Sequence, residues 1–469
     1  MRAPNILYIH SHDTGVEIAP YGAAVDTPAL DAFAQRATRF TRAFAVAPTC
    51  SPSRAGLLTG QYPHEVGMTG LAHRGFAWDD YRRHLAHHLS RADYATALCG
   101  VQHVAPQRTM IGYDEYLDGN DGEFGRDYFD VPGLNPVEHD QANARRAAEW
   151  IVRRGAASQA EPARPGATQA GLPNSRPWFL SVGFLATHRP FPGAGTTGME
   201  GTVEEDRAAY RRSAEELDRS VGIVLAAVER GELWESTVVV FTTDHGVPFP
   251  GHKGELRDAG TRVALMVWIP AGATGRGASA RVAAGAAPTG GVCDQLVSQI
   301  DLFPTLLELA GVSRDSQNHD PAPWAARSLL PVMAGRYGAV RDAVYAESNY
   351  HAAYEPARSI RTARYRLTTR PADALSRAPA NVDDCPEKEL LRPTGWFDRD
   401  HAGVELYDLV TDPEETVNVA EDSRYGAIRE ELNEQIRQWM HGTGDPALSG
   451  VVEAPPGAQV DSASRWSPS

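Results

Sequence analysis

The sequence predicts an α/β fold, a doubly wound sheet flanked by helices with a smaller C-terminal α+β subdomain, and three features predict it. Four short runs are apolar without polar alternation: "NILYI" (Asn5–Ile9), "WFLSVGF" (Trp178–Phe184), "TVVVFTT" (Thr237–Thr243) and "ALMVWIP" (Ala264–Pro270). That pattern belongs to parallel strands covered on both faces. Helix-like segments alternate with them, as a doubly wound domain requires. After about Arg341 the texture changes to short strand-like pieces followed by one helix.

Taken in order, "TPALDAFAQRATRF" reads as a helix with Thr27 as N-cap, Pro28 at N1 and Asp31 in the first turn. "CSPSRAGLLTG" reads as a short helix with Cys50 at its start, Pro52 in its first turn and Gly60 at its end. Residues 155–177, small, polar and rich in Pro and Gly, read as an exposed insertion. "EEDRAAYRRSAEELDRSVGIVLAAVERG" is a long helix, acidic at its start and closed by Gly231. "DLFPTLLELAG" is a further helix. "AVYAES" and "ARSIRTARYRLTT" are strands, and "YGAIREELNEQIRQWM" is the helix of the subdomain. The expected division is a large α/β domain over 1–340, a smaller α+β subdomain over 341–455 and a frayed tail over 456–469.

Composition bounds the partners. The 469 residues suffice for a large core. A formal charge of -15 argues against nucleic acid or an anionic membrane as partner, and no apolar run is long enough to span a bilayer. The start carries no h-region or cleavage site, and the four cysteines are too scattered for a disulfide framework, so a cytoplasmic location is expected.

Sites in open α/β sheets form beyond the carboxyl ends of strands. Here "NILYI" runs into "HSHDTG" and "TVVVFTT" into "DHG". His12, Asp13, Asp244 and His245 are therefore candidates for one crevice, with donors suited to a divalent metal; turn capping is the equal alternative for the two aspartates. Cys50, at a helix N-terminus with Arg54 one turn on, marks an anion site. An inert buried thiol and a thiolate nucleophile are two readings of that cysteine.

A third comes from resemblance. "CSPSRAGLLTG" resembles the sulfatase signature, in which the cysteine becomes Cα-formylglycine. "PNILYIHSHDTG", "TTDHG", "HKGELRDAGTRVALMVWIP" and "ELYDLVTDPEETVNVA" resemble further segments of that family, and "GMTGL", "GVPFP" and "PTGWFDRD" look like its heparan N-sulfatase branch. The resemblance implies an alkaline-phosphatase-like mixed sheet and hydrolysis of a sulfate ester or sulfamate on a sulfated sugar such as N-sulfoglucosamine.

It also implies roles. Cys50 is the nucleophile as formylglycine hydrate and a metal ligand, with Arg54 holding its alkoxide. His12, Asp13, Asp244 and His245 occupy metal positions. His103 and His188 match active-site histidines, and Lys253 matches the lysine that contacts sulfate. The metal expected is Ca²⁺; nitrogen at positions 12 and 245, where the family usually has Asp and Asn, favours Mn²⁺ among the alternatives of Mn²⁺ and Mg²⁺. Val101 stands where a lysine is usual, so one cation is missing.

His73, Arg74, His351 and Arg358 are candidate substrate contacts. His10, His64, His84, His87, His88 and His139 read as surface or structural. A formylglycine-generating enzyme is the implied maturation partner, and a homodimer is one option for assembly. Two rival functions stay open, a phosphonate monoester or phosphodiester hydrolase and a non-catalytic sugar-binding relative.

Overall fold

The computed structural model describes residues 3–118, 135–159, 176–193, 199, 201–271, 291–312, 322, 324–335 and 339–469. Most of the expected insertion at 155–177 lies outside the described residues; 155–159 close a long helix.

One eight-stranded sheet organises the molecule. Its strands are β1 (Asn5–Ser11), β2 (Thr38–Phe44), β3 (Ala95–Gly100), β4 (Glu115–Tyr116), β5 (Trp178–Gly183), β6 (Thr237–Thr243), β7 (Arg262–Trp268) and β8 (Gly291–Ser298), in the order β4-β3-β5-β1-β6-β7-β2-β8. The four expected strands are β1, β5, β6 and β7. β3, β5, β1 and β6 run parallel as neighbours.

β7 departs from the parallel expectation. It pairs antiparallel with both β6 and β2. Between β6 and β7 the chain forms only a four-residue helix, Asp258–Thr261, and without a crossover helix it returns alongside the strand it left.

Alternate side chains of β1 and β6 enter opposite cores. Ile6, Tyr8, Val238 and Val240 join one apolar cluster, and Leu7, Ile9, Val239 and Phe241 the other. This two-sided burial is why these strands show no polar alternation, and each buried aliphatic side chain contributes roughly 1.5–3 kcal/mol of transfer free energy.

Helices α1 (Pro28–Arg36), α2 (Cys50–Thr59), α3 (Leu85–Arg91), α4 (Pro136–Gln159) and α5 (Val203–Arg230) cover the faces. α1 is shorter than expected, because "TRFTRAF" pairs between β7 and β8 as β2. Thr27 does not cap α1 with its side chain. Its hydroxyl accepts from Ala19 N–H, while the N–H groups of Ala29 and Leu30 donate to the Asp218 carboxylate on α5. α5 itself starts with a Thr202/Glu205 capping box.

A second, antiparallel sheet has the order β12-β11-β10-β9, from β9 (Ala343–Tyr350), β10 (Tyr354–Thr362), β11 (Tyr365–Thr369) and β12 (Val404–Asp408). The helix Gly426–Thr443 packs on it through the fully buried Trp439. Their apolar cluster includes Val46, Tyr62 and Ile300 from around α2, and Glu347 N–H donates to Val46 O at 2.9 Å. The second sheet is thereby clamped beside the start of α2.

The tail is pinned rather than frayed. The Arg74 guanidinium, 4% exposed, donates to Asp461 Oδ2 at 2.9 Å and to the carbonyls of Gln459 and Ser469. Among the described residues no helix is long and apolar enough to cross a membrane.

Candidate active site

Four adjacent parallel strands end at one place, and each delivers a functional side chain there. β1 leads to His12 and Asp13, β6 to Asp244 and His245, β5 to His188 and β3 to His103. Asp13 and His103 take left-handed backbone angles, φ 52° and 54°. Such angles are uncommon for residues with a Cβ, and the surrounding structure must hold them. Here Asp13 N–H donates to Asp244 Oδ1 at 2.9 Å, and Thr187 Oγ1 donates to Asp13 O at 3.0 Å. Gly246 is required because a Cβ there would lie 2.0 Å from Ala259 O.

α2 points its first turn at this crevice. Cys50 is the first helical residue, and Gly60 closes the helix at φ 68°. Cys50 Sγ lies 3.2 Å from His245 Nε2 and 3.9 Å from Asp13 Oδ1. Burial pushes the Cys50 thiol well above its ordinary range; Lys253 and Arg54 favour ionisation, but the Asp13 and Asp244 carboxylates oppose it and the net shift stays upward. A thiolate nucleophile is disfavoured by that environment.

Each buried carboxylate has its own fixed cation. Arg54, 3% exposed, holds Asp244 Oδ2 through Nε at 3.1 Å and Nη2 at 3.0 Å, and donates to Ser11 O at 2.8 Å. Burial works against ionisation of Asp244, but His245 and Arg54 hold its carboxyl below the usual range. Lys253 Nζ donates to Asp13 Oδ2 at 2.9 Å and to Asp383 Oδ2 at 3.0 Å. Burial alone would lower the Lys253 pKa; Asp13 and Asp383 raise it well above normal, so the ammonium stays charged.

His12, His103 and His188 favour the neutral form, with ring nitrogens suited to act as ligands or bases. Burial drives the pKa values of His12, His103 and His188 below the ordinary range, and Arg54 adds to this at His12. His12 Nδ1 lies 3.3 Å from Asp244 Oδ2, and His188 Nε2 lies 3.9 Å from Asp13 Oδ2.

The donor atoms of His12, Asp13, Cys50 and Asp244 lie within 4.8 Å of one another, all buried. His245 Nε2 lies 3.2 Å from Asp13 Oδ1. Two carboxylates and two imidazoles around position 50 fit a divalent cation, with oxygen donors suited to a hard ion and nitrogen donors to a transition ion.

Not every candidate joins the site. His73 does: its Nδ1 lies 3.0 Å from His103 Nε2. His351 Nδ1 is buried, and burial and the Lys253 ammonium hold its pKa well below the ordinary range. Arg74 is committed to the tail. Arg358 does not reach over the pocket; it is buried against the Asp445 carboxylate and Asn349 Oδ1.

Two participants escaped the sequence reading. His10, expected to be structural, is buried with Nδ1 2.5 Å from Arg54 Nη1. Its position on β1, two residues before His12, was the available signal. Asp383 had none, since only folding brings the second sheet's loop to Lys253.

The sulfatase family profile matches residues 4–312. The chain belongs to the sulfatase family. This sulfatase is 28% identical to human N-sulphoglucosamine sulphohydrolase, over 96% of its own length and 93% of the relative's. It is 25% identical to the choline-sulfatase of Rhizobium meliloti, covering 90% and 83% of the two chains. A 2-O glycosaminoglycan sulfatase structure superposes with TM-score 0.66 at 19% identity, covering 98% of the sulfatase and 96% of that chain. A structure solved with its substrate D-glucosamine-2-N,6-O-disulfate gives 0.63 at 17%, covering 95% and 99%. These two likenesses show the alkaline-phosphatase-like fold. The family relation carries the chemistry of sulfate ester hydrolysis.

Proposed function

We propose that this sulfatase desulfates an amino sugar of the N-sulfoglucosamine class, with Cys50 acting after oxidation to formylglycine by a maturation enzyme. The observation that carries the proposal is the meeting of Cys50, Asp13, His245 and Lys253 within hydrogen-bonding distances at the head of α2. The substrate class is supported by the human relative, matched along nearly all of both chains.

His12, Asp13, Asp244, His245 and position 50 would hold the divalent metal. When bound, it supplies Lewis-acid polarisation of the sulfuryl oxygens. Lys253, kept protonated between two carboxylates, binds a sulfuryl oxygen and turns sulfur toward position 50. His188 Nε2 stands beside Asp13; neutral at rest, it takes up a proton together with the anionic substrate, and its lowered pKa favours giving that proton to the departing nitrogen or oxygen as the bond to sulfur breaks. His103 is neutral, so it can take a proton from the group at position 50, and His73 at 3.0 Å can pass that proton on. Arg54 acts from behind by fixing the Asp244 carboxylate.

The test has two parts. After co-expression with a formylglycine-generating enzyme, the Cys50 peptide should carry the aldehyde mass, and an unmodified cysteine would sink the catalytic reading. Turnover of N-sulfoglucosamine, an aryl sulfate and a phosphodiester is then compared, with N-sulfoglucosamine expected to lead. Phosphodiester turnover far above both sulfated substrates would overturn the assignment.

A further inference from the structure

Asp383 places a carboxylate where an enzyme for anionic substrates would ordinarily avoid one. Its Oδ2 accepts from Lys253 Nζ at 3.0 Å, and its side chain is 17% exposed. Burial opposes its ionisation, but the Lys253 ammonium holds its carboxyl below the usual range, and His188 and His351 add to this in their protonated forms. The bond to Lys253 places Asp383 on the side of the crevice where the sulfate-binding lysine stands. Among the described residues Oδ1 accepts no hydrogen bond, since the bond from Lys253 goes to Oδ2. Beside it, His351 Nδ1 is buried without a hydrogen-bond partner among the described residues.

A sulfate ester links sulfur through an oxygen that has lone pairs and no proton. A carboxylate oxygen facing that atom is repelled. A sulfamate links sulfur through nitrogen bearing a hydrogen, which a carboxylate accepts. Once the S–N bond has broken and nitrogen has taken up protons, the product is an ammonium, and the contact becomes a charge-assisted hydrogen bond. One oxygen thus attracts S–N substrates and disfavours S–O substrates.

We propose that Asp383 Oδ1 is the acceptor for the sulfamate N–H and for the ammonium of the amino-sugar product, making Asp383 the residue that selects S–N over S–O cleavage. The assignment rests on the sulfatase reading above.

The test is Asp383→Asn, assayed on N-sulfoglucosamine and on an aryl sulfate. Both rates should fall, because Lys253 loses a partner. The ratio of kcat/KM for N-sulfoglucosamine to that for the aryl sulfate should fall further, by roughly 10- to 100-fold, the range for losing a hydrogen bond to a charged group. An unchanged ratio in an enzyme whose wild type cleaves N-sulfoglucosamine overturns the role of Asp383 and leaves the sulfatase reading standing. A wild type that cleaves only the aryl sulfate overturns both the Asp383 assignment and the amino-sugar substrate. Calorimetry supplies a second readout independent of turnover. Wild-type protein should bind glucosamine more tightly than glucose, and Asp383→Asn should erase the difference. Equal binding of the two sugars by the wild type overturns the proposal.

Discussion

Replacing Arg54 by alanine should destabilise the metal-free protein by about 3–5 kcal/mol, the range for breaking a buried ion pair by removing one partner. The side chains of Arg54 and Asp244 are 3% and 1% exposed, so water does not replace the lost contacts. Two donors to Asp244 disappear, at 3.1 and 3.0 Å, together with the donor to Ser11 O at 2.8 Å. What remains around the carboxylate is two backbone N–H groups, of Asp13 at 2.9 Å and His245 at 3.0 Å, the Thr243 hydroxyl at 3.4 Å, and the His12 and His245 rings at 3.3 and 3.7 Å. Those dipoles do not neutralise a full buried charge. Asp244→Asn keeps the side-chain carbonyl for these N–H groups and removes the charge. The double variant Arg54→Ala/Asp244→Asn should therefore cost less than the sum of the singles, by on the order of 2 kcal/mol. Urea unfolding in chelator-treated buffer measures all four corners of the cycle. The argument fails if Arg54→Ala costs less than about 1 kcal/mol, where buried pairs of this kind do not fall. It also fails if the two single costs simply add.

Two further outcomes follow from the same logic. Burial alone would lower the His64 pKa, but Glu347 raises it above its ordinary value. A raised folded pKa gives stabilisation that is fully present below the unfolded value of about 6.5 and lost as pH rises through the folded value. The stability gap between wild type and His64→Gln should thus be widest in mildly acidic buffer and shrink toward alkaline pH; a gap that widens with pH refutes the pairing. Deleting residues 456–469 strips the buried Arg74 guanidinium of Asp461, Gln459 and Ser469. The thermal midpoint should drop, with partial recovery on adding Arg74→Met, and an unchanged midpoint after truncation would show that the tail contributes nothing.

Much of the fold was legible because its determinants are local. The apolar runs at β1, β5, β6 and β7 declare burial on both faces, and Pro52 and Gly60 bracket α2 by backbone preference alone. β2 was misread because "TRFTRAF" follows α1 with one residue between, and only its pairing partners β7 and β8 stop the helix. Thr27 was misread for a related reason: it has the right chemistry for a cap, but Asp218, far along the chain, reaches the helix end first.

The site divides in the same way. His12, Asp13, Asp244 and His245 could be placed from the sequence because a polar cluster immediately after a buried strand must emerge at that strand's carboxyl end. Cys50 could be placed because a helix start fixes its direction. By itself, then, the sequence determined the strand ends, the helix that presents Cys50 and the donor types that suit a metal. The tertiary structure alone decided that Arg54 turns to Asp244 and His10, that Arg74 and Arg358 are spent on Asp461 and Asp445, and that Asp383 reaches Lys253. The physical reason is that a buried charge must find a partner in space, and nothing in the spacing of residues along the chain says which carboxylate will be nearest once the two sheets have packed.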